Sequence, residues 1–272
     1  MSYKKTLSLV AVLVFAVACS TNPFTGKKTL ALVPNSQILP MAFQQYDQFL
    51  SENKVIRGTS DAQMVERVGQ KISKAAERYL TANGYAGYLK NYRWEYALID
   101  DETKNAWAMP GGKIAFYKGI MPIAKNEAGV ASIMGHEVAH ALANHGQQRM
   151  SAAQLQQLGA VAGNLALAEN PENQQIFNQY YGVGTQVGVM LPFSRSNETE
   201  ADRIGLTLMA IAGYDPIVAA DLWQRMQQQG GGAPPEFLST HPSSETRIRN
   251  IKSWAAEAKA EARKYGVTSF QK

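Results

Sequence analysis

The sequence predicts an α+β fold that is mainly helical, with a small sheet lying ahead of one central helix. Three observations carry this. Apolar residues recur at helical spacing over several long stretches. The period changes to two over residues 92–99, where Trp94, Tyr96 and Leu98 oppose Arg93 and Glu95, and 113–117 offers a further strand. Glycine pairs, Gly84 with Gly87 and Gly111 with Gly112, punctuate the region. The chain has 272 residues, 45% of them apolar, which argues against disorder and is enough for one substantial core.

The elements follow in order. Lys4 and Lys5 precede an apolar run over 7–17 that ends in Ala16-Val17-Ala18-Cys19, the pattern of a lipoprotein signal peptide over residues 1–18, too short to span a bilayer comfortably. Cys19 is the only cysteine; acylated, it would hold the chain at a membrane surface and leave no intramolecular disulfide. Ser20 at the next position suggests the outer membrane by the bacterial sorting pattern, hence its periplasmic face. Residues 21–34 read as an irregular tether and 36–50 as a helix, so 19–59 forms a lipidated tether with one helix. Ser60-Asp61-Ala62-Gln63 is a capping-box pattern for a helix carried by Val65, Val68, Ile72 and Ala76. The formal charge of +5 falls to 5 − 2 = +3 without Lys4 and Lys5, and no basic stripe suggests nucleic acid.

The central helix carries His136-Glu137-Val138-Ala139-His140. Positions i and i+4 share a helix face, so both imidazoles reach one ion, while Glu137, about 100° round, is placed to polarise a water there. Val130, Ile133, Met134, Val138 and Leu142 form the opposite, core-facing side; Asn126 is the expected N-cap and Gly146 the stop. His145, about 140° from His140 along a continuous helix, is expected in packing only.

Downstream, Asn197-Glu198-Thr199-Glu200-Ala201-Asp202 opens a second helix with Ile204, Leu208 and Ile211. A carboxylate there would complete a His/His/Glu set that leaves a fourth position open, as catalytic zinc requires. Asp202, on the face of Glu198, could accept the outer N–H of a ligating histidine; Glu200 points about 200° away. An acidic helix start favoured by the helix dipole is the plainer reading of the same residues.

These motifs, with Gly135 before the first histidine, Ser194-Arg195-Ser196 before the carboxylate helix, His241-Pro242 followed by Arg247, and Asn105-Ala106-Trp107-Ala108-Met109-Pro110-Gly111-Gly112, make the chain similar to a family. It resembles the membrane-associated zinc metallopeptidases that include CAAX prenyl endopeptidases, mitochondrial Oma-type proteases, HtpX and the periplasmic BepA-like proteins. The resemblance implies a gluzincin-type metallopeptidase domain over 60–272, one zinc ion per chain on His136, His140 and Glu198, and Glu137 as general base. It further implies His241 as a donor to the oxyanion of the tetrahedral intermediate; in some relatives that histidine instead approaches the metal and closes the site. A surface histidine before a helix is the plain alternative. The tetratricopeptide-repeat tail of the BepA type is not expected.

Gly111, Gly112, Lys113 and Ile114 are the expected peptide-docking turn and strand, since glycines admit a close backbone and an exposed edge accepts a peptide as an added strand; a plain hairpin turn is the alternative. Arg247 is expected to anchor a carboxylate or to be structural. The insertion over 151–193 is expected to cover the cleft, because Gln154, Gln156, Gln157 and Asn164 interrupt its apolar run and disfavour a membrane-facing role. Asp215-Pro216 opens a helix ending at Gly230, a loop over 230–242 carries His241, and a terminal helix runs over about 243–265. The function this predicts is a lipid-anchored zinc endopeptidase acting on protein or peptide substrates, degrading misfolded or unassembled envelope proteins. The rival is a zinc-binding envelope lipoprotein acting as a chaperone with little hydrolysis. Sequence leaves the oligomeric state open.

Overall fold

A computed structural model of the protein describes residues 19–228, 236–242 and 244–272. The expected signal peptide over 1–18 and the glycine-rich loop around Gly230 lie outside these residues. The chain runs β1 (Cys19–Thr21), β2 (Lys28–Leu30), α1 (Asn35–Glu52), β3 (Val55–Ile56), α2 (Ser60–Ala82), β4 (Glu95–Ile99), β5 (Ala106–Met109) and β6 (Lys113–Tyr117). After a short turn of helix α3 (Met121–Ala124) come α4 (Glu127–Leu142), α5 (His145–Ala166), α6 (Pro171–Thr185), α7 (Leu191–Ile211), α8 (Val218–Gln228), α9 (Glu236–Thr240) and α10 (Glu245–Arg263).

The mixed sheet has the order β3-β4-β6-β5, with β4 parallel and β5 antiparallel to the central β6. Its register pairs Ala108 with Ile114 and Leu98 with Phe116. Helix α1 lies on this sheet through Tyr46, fully buried, whose hydroxyl donates to the Ile114 carbonyl at 2.9 Å.

Helix α4 is the axis of the core: every residue from Ala128 to Leu142 is buried. The expected two-sidedness, apolar against polar, is present in sequence but both sides face protein, because α7 and the α9 loop cover the histidine side. Asn126 caps α4 by accepting the Gly129 N–H at 2.9 Å. The helix ends earlier than Gly146 suggested. Asn144 takes the left-handed conformation, φ 56°, and a new helix starts at His145; asparagine tolerates this region better than most residues. The last carbonyls of α4 find side-chain donors, Tyr92 to Ala141 at 3.3 Å and Tyr88 to Leu142 at 2.8 Å.

Two further boundaries differ from the sequence reading. Thr59, not Ser60, caps α2, its hydroxyl accepting the Ala62 N–H. The tether over 21–34 is not irregular throughout: β1 and β2 form a small hairpin, Asn22 donates to Glu200, and Phe24 stacks on Tyr79 at 4.7 Å between ring centres. These contacts reach far along the chain, beyond what local propensity reports.

Candidate metal centre

Helix α4 presents His136 and His140 one turn apart, and α7 crosses it bearing Glu198 and Asp202. The crossing is close because glycine meets glycine: a Cβ added to Gly135 would stand 2.9 Å from the Gly205 carbonyl oxygen, and one on Gly205 would stand 2.9 Å from the His136 nitrogen. The loop after α9 brings His241 in from the other side.

The donor atoms of His136, His140, Glu198 and His241 all lie within 4.8 Å of one another. His136 Nε2 is 3.1 Å from His140 Nε2 and 3.3 Å from Glu198 Oε2, and His140 Nε2 is 3.2 Å from Glu198 Oε1. His241 Nδ1 is 3.1 Å from His136 Nε2 and 3.0 Å from Glu198 Oε2. Bonds of about 2.0–2.1 Å to a tetrahedral zinc would set ligand edges of about 3.3–3.4 Å. The spacing is thus close to that of a tetrahedral ligand set. Hydrogen bonding alone does not account for it, because His136 Nε2 carries at most one N–H yet faces His140 Nε2, His241 Nδ1 and Glu198 Oε2 at once. The donor set fits a divalent cation with nitrogen and oxygen ligands.

The groups behind the donors fix their orientation. Asp202 Oδ1 lies 3.0 Å from His136 Nδ1, and Arg247 clasps Asp202 through Nε and a terminal nitrogen at 2.6 and 2.7 Å. Burial would draw His136 down, yet its hydrogen bonds to Asp202 and Glu198 outweigh that and lift it to about 9. Burial would raise Asp202 and Glu198, but Arg247 beside the first and the three histidines around the second hold both below the ordinary carboxylate range. Glu137 is the contrary case: burial pushes its carboxyl up. Its Oε1 has no hydrogen-bond partner among the described residues and stands 3.4 Å from His241 Nε2.

His145, which the helical angle excluded from the site, is in it. The break at Asn144 swings His145 back, so that its Nδ1 lies 2.9 Å from His140 Nδ1 and its ring is buried. If a metal took the His140 Nε2 lone pair, the His140 proton would sit on Nδ1 and donate to His145. The His145 proton would then be on Nε2, which stands 3.8 Å from Glu200 Oε1. His140 is drawn well below its ordinary value, by burial above all, which favours the neutral form that ligates. Nothing in the residue spacing signals this pair except Asn144, a residue type that tolerates the left-handed turn.

The peptide-docking expectation moves by one strand. Lys113 and Ile114 lie on β6, which has partners on both sides; Ile114 is fully buried and Lys113 is paired with Glu95 at 2.7 Å. The free edge is β5. Gly111 and Gly112, φ 85° and 87°, make the turn, and the groups that pack against them are Phe43 and Trp94, not a foreign backbone. Arg247, expected to anchor a carboxylate or to be structural, is buried, anchors the Asp202 carboxylate within the protein and not a substrate, and stacks over Trp223 with its guanidinium carbon 3.6 Å from the ring centre. His241 sits among the donors and not at a surface. A cleft of about 310 Å³ opens here, walled by Ala106, Trp107, Ala108 and Pro110, floored by Glu137, His140 and His145, and roofed by Thr240 and His241. Helix α5 reaches this cleft only through residues 145–149, ahead of the insertion, and no residue of 151–193 lines it, so the insertion does not cover it.

Fold and donor set together define a class: α+β metallopeptidase domains in which a histidine-pair helix and a downstream carboxylate helix share one metal position. The chain belongs to peptidase family M48, whose model matches residues 62–255. It is 38% identical over 189 residues to the mitochondrial metalloendopeptidase OMA1 of Schizosaccharomyces pombe, covering 69% of this chain and 53% of that protein. It is 32% identical over 202 residues to OMA1 of Saccharomyces cerevisiae, covering 71% and 56%. To the beta-barrel assembly-enhancing protease of Escherichia coli it is 26% identical over 247 residues, covering 89% and 48%. The chain therefore spans about half the length of these relatives.

Proposed function

We propose that the protein is a zinc-dependent endopeptidase. The observation that carries this reading is the four-donor cluster at near-tetrahedral spacing with the Glu137 carboxylate, its Oε1 unpartnered among the described residues, beside it and a strand edge free of strand partners along the same cleft. His136, His140 and Glu198 would hold the ion. When bound, zinc supplies Lewis-acid polarisation of a carbonyl oxygen and acidifies a water to near neutrality. Glu137 takes the proton from the attacking water and returns it to the leaving amine; burial, which raises its carboxyl, suits a base working near neutral pH. A substrate adds as a strand to β5. Residues 106 and 108 face outward there, since the Asn105 carbonyl bonds inward to Tyr117 and the alternation follows from that. Pro110, with no N–H, ends the docking edge.

His241 Nδ1 would give a bound ion a fourth donor while its Nε2 faces Glu137, so the arrangement would be a closed one. Donation to an oxyanion requires the loop after α9 to move His241 outward first. The same reading assigns residues 1–18 to a leader, 19–59 to a lipidated tether with α1, and 60–272 to the peptidase domain, in keeping with a family match that begins at residue 62. Acylation of Cys19 would place the enzyme at the periplasmic face of the outer membrane, with misfolded or unassembled envelope proteins as substrates. The name of the relative from Escherichia coli supports a role at that envelope.

The deciding comparison is wild type against Glu137→Gln at equal zinc content. Loss of one group in general acid–base work predicts a fall of about 10²–10⁴ in kcat; retained hydrolysis would remove Glu137 from the mechanism. Mass spectrometry of the mature N-terminus tests the acylation of Cys19. The fourth donor favours one rival, because structural zinc is closed by four ligands: a zinc-bearing chaperone that hydrolyses little. In the endopeptidase reading, His241→Ala opens the vertex and raises turnover of a short unstructured peptide several-fold with zinc retained. No cleavage by that variant would favour the chaperone.

A further inference from the structure

Beyond the turn that closes β5, the cleft beside Glu137 gives way to a larger hollow of about 590 Å³. Leu39, Pro40 and Phe43 of α1 form its apolar wall, and Lys90 and Arg93 stand opposite. Asn35 lines both spaces, and Gly111, against which Phe43 and Leu39 pack, lies where they adjoin.

Local chemistry fixes the cations in that place. Gly84 and Gly87, φ 85° and 84°, turn the chain out of α2, and the segment that follows is tied down by its backbone and by one hydroxyl. Arg93 N–H donates to the Gly111 carbonyl at 2.7 Å, and the Tyr92 hydroxyl to the Ala141 carbonyl at 3.3 Å. The Arg93 guanidinium carbon lies 5.1 Å from the Phe43 ring centre, a cation–π contact that holds this long side chain against the apolar wall. Among the described residues neither Lys90 nor Arg93 has a carboxylate partner, and no acid lines the hollow. Surface cations are usually mere solubilising charges. These two differ in being unpaired, concave in their setting and next to a peptide cleft, with an apolar wall opposite; together they suit a carboxylate on a short apolar stem.

We propose that the hollow is a specificity site for an aspartate or glutamate side chain of the peptide substrate, which rests on the endopeptidase reading. The register follows from the strand edge. Ala108 gives Glu137 a backbone hydrogen bond, which sets the bond to be cleaved opposite about residue 108. A peptide adding to β5 in the antiparallel sense, the more stable pairing per residue, runs from the Pro110 end towards Ala106, so its residues near Pro110 precede the cleaved bond. Pro110 offers no N–H, strand pairing stops there, and substrate residues beyond it are held through their side chains. At a rise of about 3.4 Å per residue, the side chain that enters the hollow belongs to a residue about three to five positions N-terminal of the cleaved bond.

The test gives the zinc-loaded full chain a randomised peptide library and reads the cleavage sites by mass spectrometry. Acids should be enriched about three- to tenfold at one of these positions, a modest factor because each exposed ion pair is weak. In about 1 M salt, where the Debye length falls to about 3 Å, the enrichment should vanish. Lys90→Glu/Arg93→Glu should replace it with a preference for Lys and Arg, and Lys90→Glu alone, at an exposed position, should weaken it. Cleavage with no acid preference, or with one that charge reversal leaves in place, overturns the site while the endopeptidase reading stands. A second readout needs no turnover: on the Glu137→Gln variant, a fluorescent peptide with three consecutive glutamates should bind at least threefold tighter than its glutamine twin, and the double charge reversal should abolish that difference. Equal affinities, or binding of neither, overturn the site. So does a charge reversal that weakens only binding to phosphatidylglycerol vesicles, which would give the two cations to a lipid surface.

Discussion

Single residues in this centre differ sharply in how far sequence exposes them. His136 and His140 announce themselves by spacing alone, because one helical turn suffices to aim both rings at one point. Glu198 needs a second helix, but its residue type and its four-residue step to Asp202 already suggest a ligand with a supporting acid. His145 is hidden, since its role depends on a backbone reversal at Asn144 that no helical wheel includes. Its contact with His140 yields a prediction. His145→Ala leaves all four candidate donors in place but frees the His140 tautomer, and loss of such an outer partner weakens metal binding by about 10–100-fold. Competition with a chromogenic chelator measures this; an unchanged zinc affinity would reduce His145 to packing.

Among elements, the decisive event is the crossing of α4 and α7. Gly135 and Gly205 let the two backbones meet, and that approach brings Glu198 to 3.2 and 3.3 Å from the two histidines. Gly205→Ala places a methyl 2.9 Å from backbone atoms that have no rotamer to yield. Overpacking of this kind costs about 1–3 kcal/mol, and parting the helices moves Glu198 away. The expected result is a lower Tm together with zinc loading well below one per chain; full loading would show that the crossing tolerates the shift. The sheet teaches a related lesson. The alternating pattern located β4 and β6, but which strand kept a free edge was settled only by pairing, and β6, whose Lys113 and Ile114 looked available, turned out to be the centre.

For the whole molecule, stability carries an alkaline limit written in its tyrosines. Burial pushes Tyr96 up to about 12 and raises Tyr88 and Tyr92, whose hydroxyls donate to the last carbonyls of α4. A folded-state pKa above the unfolded one means the contribution is fully present below about pH 10, the ordinary tyrosine value, and is lost as pH rises through the folded values. Urea midpoints should therefore hold steady from these groups up to about pH 10 and fall between pH 10 and 12. Tyr92→Phe should soften that fall, and a midpoint flat to pH 12 would contradict the assignment.

Sequence by itself determined the helical majority, the sheet ahead of the central helix, and His136, His140 and Glu198 as candidate metal donors, because helical period and ligand chemistry are local properties. Tertiary structure decided what depends on distant segments meeting. It brought His241 in as a fourth candidate donor, drew His145 in behind His140, fastened Arg247 to Asp202, left β5 as the open edge, and kept residues 151–193 out of the cleft lining. Convergence in space is set by backbone reversals and helix crossings, which few residues in a linear pattern record.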